Sequence, residues 1–135
     1  MFRQKWREIS MGELADKISI LMVKLDKLPS DYPNKYMVYC QERYLYPKFY
    51  NYCQKQLSKD NFNKVFTLMS SLIKNNGIQW DIEDQVIKLD GEAGLQAAKK
   101  SREYNLKRAE IKREIDVIFG EKYLEIKKYA STKQS

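Results

Sequence analysis

Acidic side chains at helical spacing are the residues of this sequence that could do chemistry most directly. They form pairs three or four residues apart, so that each pair lies on one face of a helix. The pairs are Glu13 with Asp16, Asp81 with Asp84, and Glu110 with Glu114. Two such faces could hold Mg²⁺ or Mn²⁺ where helices meet. Because the denser carboxylate motif of known helical metal sites is missing, we expect surface carboxylates, with no metal site and no cofactor.

The composition restricts other catalytic chemistry. The 135 residues include no histidine, which excludes Ser-His-Asp and Cys-His nucleophilic sites, imidazole general bases and His-ligated zinc. The sequence also lacks a glycine-rich phosphate loop and a nucleophile elbow. We therefore expect no catalytic residue and favour a protein without enzymatic activity.

A site for a small ligand in the core of a helical bundle is the alternative. It would bind an anionic or phosphorylated ligand through acidic, basic and amide side chains, as a weak enzyme or a sensor. The candidate residues are Glu13, Asp16, Lys17, Asp84, Asn105, Arg108 and Lys112. This alternative requires a fold in which these residues converge on one pocket.

The net charge permits an anionic partner without defining one. Lys and Arg outnumber Asp and Glu by 25 to 18, for a formal charge of +7. A surface that follows phosphates needs its basic residues on one face without acids between them. Near the end of the chain Glu103, Glu110 and Glu114 lie among the basic residues, which spread around most of a helix. Nucleic-acid binding is therefore an alternative that the pattern does not favour.

The thiols and the hydropathy pattern bear on the compartment. Cys40 and Cys53 are the only cysteines, and on one straight helix they lie about 20 Å apart along the axis. Since a disulfide needs Cα atoms within roughly 7 Å, we expect two buried free thiols. No run of 18 apolar residues and no secretion signal occurs, so we expect a cytoplasmic protein without a membrane partner.

Periodicity predicts the helices that must position these residues. Ser10 and Glu13 fit a capping box, in which each binds the backbone amide of the other, at the start of an amphipathic helix that ends near Leu28. A second helix should run from Tyr36 to about Leu57, and it contains Pro47, a residue that kinks or breaks helices.

The second half of the chain predicts two further helices. A cap at residues 58–61 starts the third, and Asn75-Asn76-Gly77 is a local stop or turn signal. Residues 90–94 predict a turn, and a last helix from about Leu95 to Phe119 should close at Gly120. The chain is thus predicted to be all-α, an antiparallel bundle of three to five helices with long, coiled-coil-like helices. One domain spans 1–135, with a basic arm at 1–9 and a polar tail at 130–135.

The second and last predicted helices carry more aromatic and apolar side chains than a single buried face can accommodate. Seven of the ten tyrosines lie between Tyr32 and Tyr52 and fall on more than one helical face. The last helix has two apolar sectors, one around Leu106 and one around Ile115. Some of these side chains must therefore line an interface, and we expect a homo-oligomer or a protein partner. The candidate interface residues are Tyr36, Tyr39, Tyr46, Phe49 and Tyr50.

Three blocks of the sequence carry a further pattern. Residues 12–21 read Gly-Glu-Leu-Ala-Asp-Lys-Ile-Ser-Ile-Leu, residues 80–84 read Trp-Asp-Ile-Glu-Asp, and the third block includes Asn105, Arg108-Ala109 and Gly120. In order and spacing they resemble a family of small helical proteins of unknown function. These occur in bacteria, often near surface-polysaccharide genes, and in tailed-phage genomes.

The resemblance has consequences for structure more than for activity. It implies a continuous helix through Asn75-Asn76-Gly77, and it leaves a phage origin open. Leu106 stands where the family has Asp after the residue equivalent to Asn105, and Glu121 stands where it has Ser. The family has no assigned activity, so the resemblance implies none for this chain.

Overall fold

Four α-helices joined by short connections make up the computed structural model, which describes residues 8–120. They are, in chain order, α1 (Met11–Lys27), α2 (Lys35–Gln56), α3 (Lys59–Lys88) and α4 (Gly91–Ile118). No strand occurs within the described range, and the predicted all-α bundle is confirmed. Most of the predicted arm at 1–9 and all of the tail at 130–135 lie outside the described residues. No helix in 8–120 combines the length and apolar character of a membrane span.

Serine side chains fix where α1 and α3 begin. Ser10 Oγ accepts a hydrogen bond from the Glu13 amide at 3.1 Å, and Ser58 Oγ accepts one from the Asn61 amide at 3.2 Å. Each bond satisfies an amide at a helix start that has no partner within the helix, which stabilises the helix by about 1 kcal/mol. The predicted cap is confirmed, but the box is half formed, because the Glu13 carboxylate pairs with Lys112 instead.

Neither predicted breaker interrupts its helix. α2 continues past Pro47, whose ring lies on an exposed face, at the loss of one backbone hydrogen bond. α3 continues through Asn75-Asn76-Gly77, as the family resemblance implies and against the local signal. Asn75 and Asn76 are buried, and the Asn75 amide nitrogen donates to the Tyr104 carbonyl at 3.0 Å. Tertiary hydrogen bonds therefore outweigh the low helix propensity of this segment.

The turn before α4 is shorter than predicted. Only Leu89 and Asp90 separate α3 from α4, which starts at Gly91 rather than Leu95. Gly91 has φ +60°, a conformation that suits glycine, and it lets the chain reverse in two residues. The predicted end is confirmed, since Gly120 has φ +72° directly after the cap residue Phe119.

α1 packs against α3, α4 and α2, and the core lies along its buried face. The antiparallel hairpin of α3 and α4 forms one side of the bundle. α2 joins the core through its C-terminal half, where Phe49 is fully buried and meets the Phe66 ring edge-on at 5.8 Å. The core residues are Met11, Leu14, Ala15, Ile18, Phe49, Cys53, Val65, Met69, Leu72 and Ile115.

One expectation about packing needs correction, and one is left open by the fold. Cys53 is buried, but Cys40 is exposed, so the chain has one buried thiol rather than two; both are free, as predicted. On α4 the sector around Ile115 is packed, whereas the opposite sector is not, and Leu106 is 67% exposed. The fold of one chain therefore uses only one of the two apolar sectors of α4.

Candidate functional site

A partly buried ion pair joins α1 to α4. Arg108 Nη2 lies 2.6 Å from Asp16 Oδ2, and Arg108 Nε lies 2.9 and 3.0 Å from the two carboxylate oxygens. Asp16 is only 3% exposed, and it also accepts a bond from Asn76 Nδ2 at 3.0 Å. The hydrogen bond to Asp16 raises the pKa of Arg108, so the guanidinium stays charged.

Two further polar contacts follow on successive turns of α4. Lys112 Nζ pairs with Glu13 Oε2 at 2.8 Å, and Asp116 Oδ1 accepts the Gly12 amide at 2.6 Å. A Cβ at Gly12 would collide with the Lys112 carbonyl and lie 2.8 Å from Asp116 Oδ1, so only glycine allows this approach. Residues 108, 112 and 116 therefore fix the N-terminal half of α1 on α4.

A cavity of about 480 Å³ opens between α1, α3 and α4, beside Arg108. Its apolar wall consists of Ile20, Val23, Trp80 and Ile87. Its polar residues are Asn76, Gln79, Glu83, Asp84, Asn105 and Arg108. The size and the mixed lining are typical of sites for small molecules.

The structure brings six of the seven predicted ligand residues into one region. Asp84, Asn105 and Arg108 line the cavity, and Asp16 lies behind Arg108. Glu13 and Lys112 form the next ion pair along α4, outside the cavity lining. Lys17 is exposed and contributes to none of these contacts.

The sequence reasoning missed Asn76, Gln79 and Glu83 as site residues. These residues lie three or four positions apart and, with Trp80 and Ile87, form one face of α3. The signal was present in that spacing. The local stop signal at Asn75-Asn76-Gly77 obscures it, because a stop there would divide the face into two pieces.

The electrostatics of the cavity differ from those expected of an anion site. The charge of Arg108 is balanced by Asp16. Glu83 Oε2 accepts from Ser101 Oγ at 2.5 Å, and this neutral donor orients the carboxylate without cancelling its charge. Asp84 pairs with Lys88 at 2.9 Å, in an exposed contact that solvent screens. The lining therefore favours a cation, whereas the sequence suggested an anionic or phosphorylated ligand.

The exposed surface of α2 is the second candidate site. Tyr36 is 73% exposed, and its ring stacks on Tyr39 at 6.4 Å. Arg43 lies over the Tyr39 ring at 6.0 Å. We call the exposed large side chains of this half of α2 the tyrosine surface: Tyr36, Met37, Tyr39, Arg43 and Tyr44.

The predicted interface residues divide between this surface and the core. Tyr36 and Tyr39 belong to the tyrosine surface, and Tyr50 is exposed further along α2, where its ring meets Phe62 edge-on at 5.5 Å. Tyr46 is half-buried. Phe49 is fully buried in the core, so its assignment to an interface does not hold in the folded chain.

Metal ligation and similarity to known proteins also bear on function. Among residues 8–120, no three acidic or thiol side chains lie close enough together to hold a metal ion. Compared with known proteins, the chain matches no family model, no curated protein and no solved structure. The functional argument therefore depends on the geometry of the chain itself.

Proposed function

We propose that this protein is a non-enzymatic helical interaction protein that self-associates through the tyrosine surface. The observation that carries the proposal is the contrast between the two halves of α2. The C-terminal half is packed into the core through Phe49 and Cys53, while the N-terminal half exposes Tyr36, Met37 and Tyr44. Contiguous exposed aromatic and apolar side chains are typical of protein interfaces.

The residue types of the tyrosine surface support an interface. Tyr, Met and Arg are enriched in protein–protein interfaces and at the residues that dominate their binding energy, because they combine large contact area with a polar end. Tyr36 and Tyr39 already stack on each other within one chain. Less side-chain entropy is then lost when a partner packs on it.

Charge favours a second copy of the same chain as the partner. The protein carries a formal charge of +7, so two copies repel each other at most of their surface. The tyrosine surface carries a single charge, that of Arg43, because Glu42 is buried. A two-fold contact between antiparallel copies of α2 would place Arg43 of one copy near Tyr39 of the other.

The small size of the surface is typical of a weak interface. Covering its exposed side chains would remove about 400 Å² of accessible surface per copy. This is about half of what each partner buries in an interface of standard size. We therefore expect a weak dimer, with a Kd of about 10 to 100 µM.

Sedimentation velocity over about 1 µM to 1 mM tests the proposal in the range where such a dimer dissociates. The wild type should shift from monomer to dimer, and Tyr36→Ser with Tyr39→Ser should weaken the Kd at least tenfold. Leu106→Ser is the matched control, because it removes an exposed apolar side chain from α4. A wild type that stays monomeric, or a dimer that is lost only with Leu106→Ser, contradicts the proposal.

Two other parts of the proposal have separate arguments. A cytoplasmic location agrees with two free cysteines, since reducing compartments keep thiols unpaired. Membership of the helical family from bacteria and tailed phages is supported by the block at residues 12–21, which includes Gly12, Glu13 and Asp16. Nucleic-acid binding is the less favoured alternative, and the absence of a gel shift at low salt would remove it.

A further inference from the structure

The cavity between α1, α3 and α4 contains a buried hydrogen-bond acceptor that has no donor. Gln79 is 7% exposed, and its Oε1 has no hydrogen-bond partner among the described residues. Buried acceptors are normally paired, because desolvating them without a partner is unfavourable. Oε1 is covered in the free protein, so an occupant that reaches it by a rotation of the Gln79 side chain should present an N–H or O–H group.

The charges around the cavity determine which donor fits best. Arg108 forms its hydrogen bonds with Asp16, whereas the exposed carboxylate of Glu83 accepts only from the neutral Ser101 and interacts with Arg108 through charge alone. A second carboxylate, Asp84, lies at the same face and is paired only with the exposed Lys88. A positively charged donor would gain from these carboxylates, whereas an anion would be repelled.

The apolar wall indicates the rest of the occupant. Trp80 and Val23 line the cavity, and Ile87 is 83% exposed in the free protein. A flat or apolar body placed against these side chains removes apolar surface from water. The face of a tryptophan ring also attracts cations.

From these three features we propose that the cavity binds a small organic cation, an amidinium or protonated amine on an aromatic or apolar body. The cationic N–H groups bond to Gln79 Oε1 and lie close to Glu83, while the body packs against Trp80 and Ile87. This site is separate from the tyrosine surface, and it requires no second copy of the chain.

Nuclear magnetic resonance with benzamidine as the probe tests the assignment. The Gln79 side-chain amide and the Trp80 indole signal should shift saturably, with benzoate and benzyl alcohol binding at least tenfold more weakly. Benzoate keeps the ring and reverses the charge, and benzyl alcohol keeps the ring without a charge. No saturable shift up to about 10 mM benzamidine, or equal binding of benzoate, overturns the proposal.

Three variants connect the binding to the named atoms. Gln79→Leu removes the acceptor at similar volume and should weaken benzamidine binding by about tenfold. Glu83→Gln removes the charge but keeps an oxygen that can accept from Ser101, and it should weaken binding by about fivefold. Glu103→Gln is the control: it removes an exposed charge from α4, outside the cavity lining, and should leave binding unchanged. Equal weakening by all three, or by none, contradicts the site.

Two more measurements test whether the site is independent of the tyrosine surface and whether its ligand is a small molecule or an arginine side chain of a protein. The variant Tyr36→Ser with Tyr39→Ser should bind benzamidine as the wild type does. The benzamidine result can therefore be interpreted even if the protein does not form a dimer. An N-acetyl-arginine amide presents the same type of cation on a peptide. Tighter binding of that probe than of benzamidine would assign the site to an arginine of a protein partner and overturn the small-molecule assignment.

Discussion

Arg108 of α4 contacts both carboxylate oxygens of Asp16 of α1, at 2.6 to 3.0 Å, and Asp16 is almost completely buried. Burying such a pair costs desolvation, so its presence alone is weak evidence of stability. The geometry of the pair contributes more to the specificity of helix packing, because the planar guanidinium group fits a carboxylate in one orientation. It fixes the register of α1 on α4 at the edge of the cavity.

Removing one partner of this pair should destabilise the fold strongly. Asp16→Ala leaves Arg108 partly buried without its anion, and we expect a loss of about 3 kcal/mol in the free energy of unfolding. The double variant Asp16→Leu with Arg108→Met should recover most of it, because no isolated charge remains. Urea denaturation measures both. Asp81→Asn, which breaks the more exposed contact with Lys27, should cost less than about 1 kcal/mol.

The stabilisation from Arg108 should also be independent of pH through the neutral range. The pKa of Arg108 is raised in the folded chain, so its contribution is complete below the ordinary pKa of arginine and is lost only at higher pH. A difference between wild type and Asp16→Ala that changed markedly between about pH 6 and pH 9 would contradict this assignment.

Two glycines should respond in opposite directions to alanine. At Gly12 a Cβ would collide with α4, so Gly12→Ala should destabilise the protein by about 2 kcal/mol or more. At Gly77, inside α3, a Cβ meets nothing within 4 Å, so Gly77→Ala should stabilise it by about 0.5 to 1 kcal/mol. Thermal melts of the two variants give the comparison. A stabilised Gly12→Ala protein would show that α1 does not approach α4 this closely.

The local signals that predicted the fold correctly are those that depend on neighbouring residues alone. The Ser10 cap, the amphipathic character of α1 and the end of α4 at Gly120 all follow from spacing and side-chain type. Asn75 and Asn76 misled the local interpretation, because their hydrogen bonds are to Tyr104 and Asp16, which are distant in sequence. No neighbouring residue reveals those partners.

The candidate site was predicted in part for a similar reason. Asp16, Asn105 and Arg108 were found because ionic and amide side chains are conspicuous in the sequence. Their arrangement was not predictable, since an ion pair between α1 and α4 depends on how the helices dock. The preference of the cavity for a cation follows only from that pairing, because the carboxylate of Asp16 neutralises the charge of Arg108.

The two thiols should differ sharply in reactivity. Burial raises the pKa of Cys53 to about 12, so almost none of it is thiolate at pH 8, whereas Cys40 is exposed. A colorimetric thiol reagent should therefore modify one cysteine quickly in the folded protein and both in denaturant. Cys40→Ser should abolish the fast reaction. Rapid modification of Cys53 in that variant would mean that α2 opens from the core.

The same burial predicts a loss of stability in alkali. The ordinary pKa of the thiol is 9.0 and its folded pKa is about 12, so the unfolded chain releases this proton first. The stability contributed by the neutral thiol is complete below pH 9 and falls as the pH rises towards 12. Burial raises the pKa of Tyr46 as well, which acts in the same direction. Cys53→Ala should show a shallower decline in the free energy of unfolding over this range.

Gln79→Leu should stabilise the ligand-free protein. The buried Oε1 of Gln79 has no donor in the described part of the chain, and an unpaired acceptor costs about 1 to 3 kcal/mol. Leucine fills a similar volume without that cost, so we expect a gain of about 1 kcal/mol in the free energy of unfolding. Gln85→Leu, on an exposed face of α3, should change it by less than about 0.5 kcal/mol. A destabilised Gln79→Leu protein would mean that water already satisfies this acceptor. A gain would mean that the sequence keeps an acceptor that weakens its own fold, as expected of a residue retained for binding.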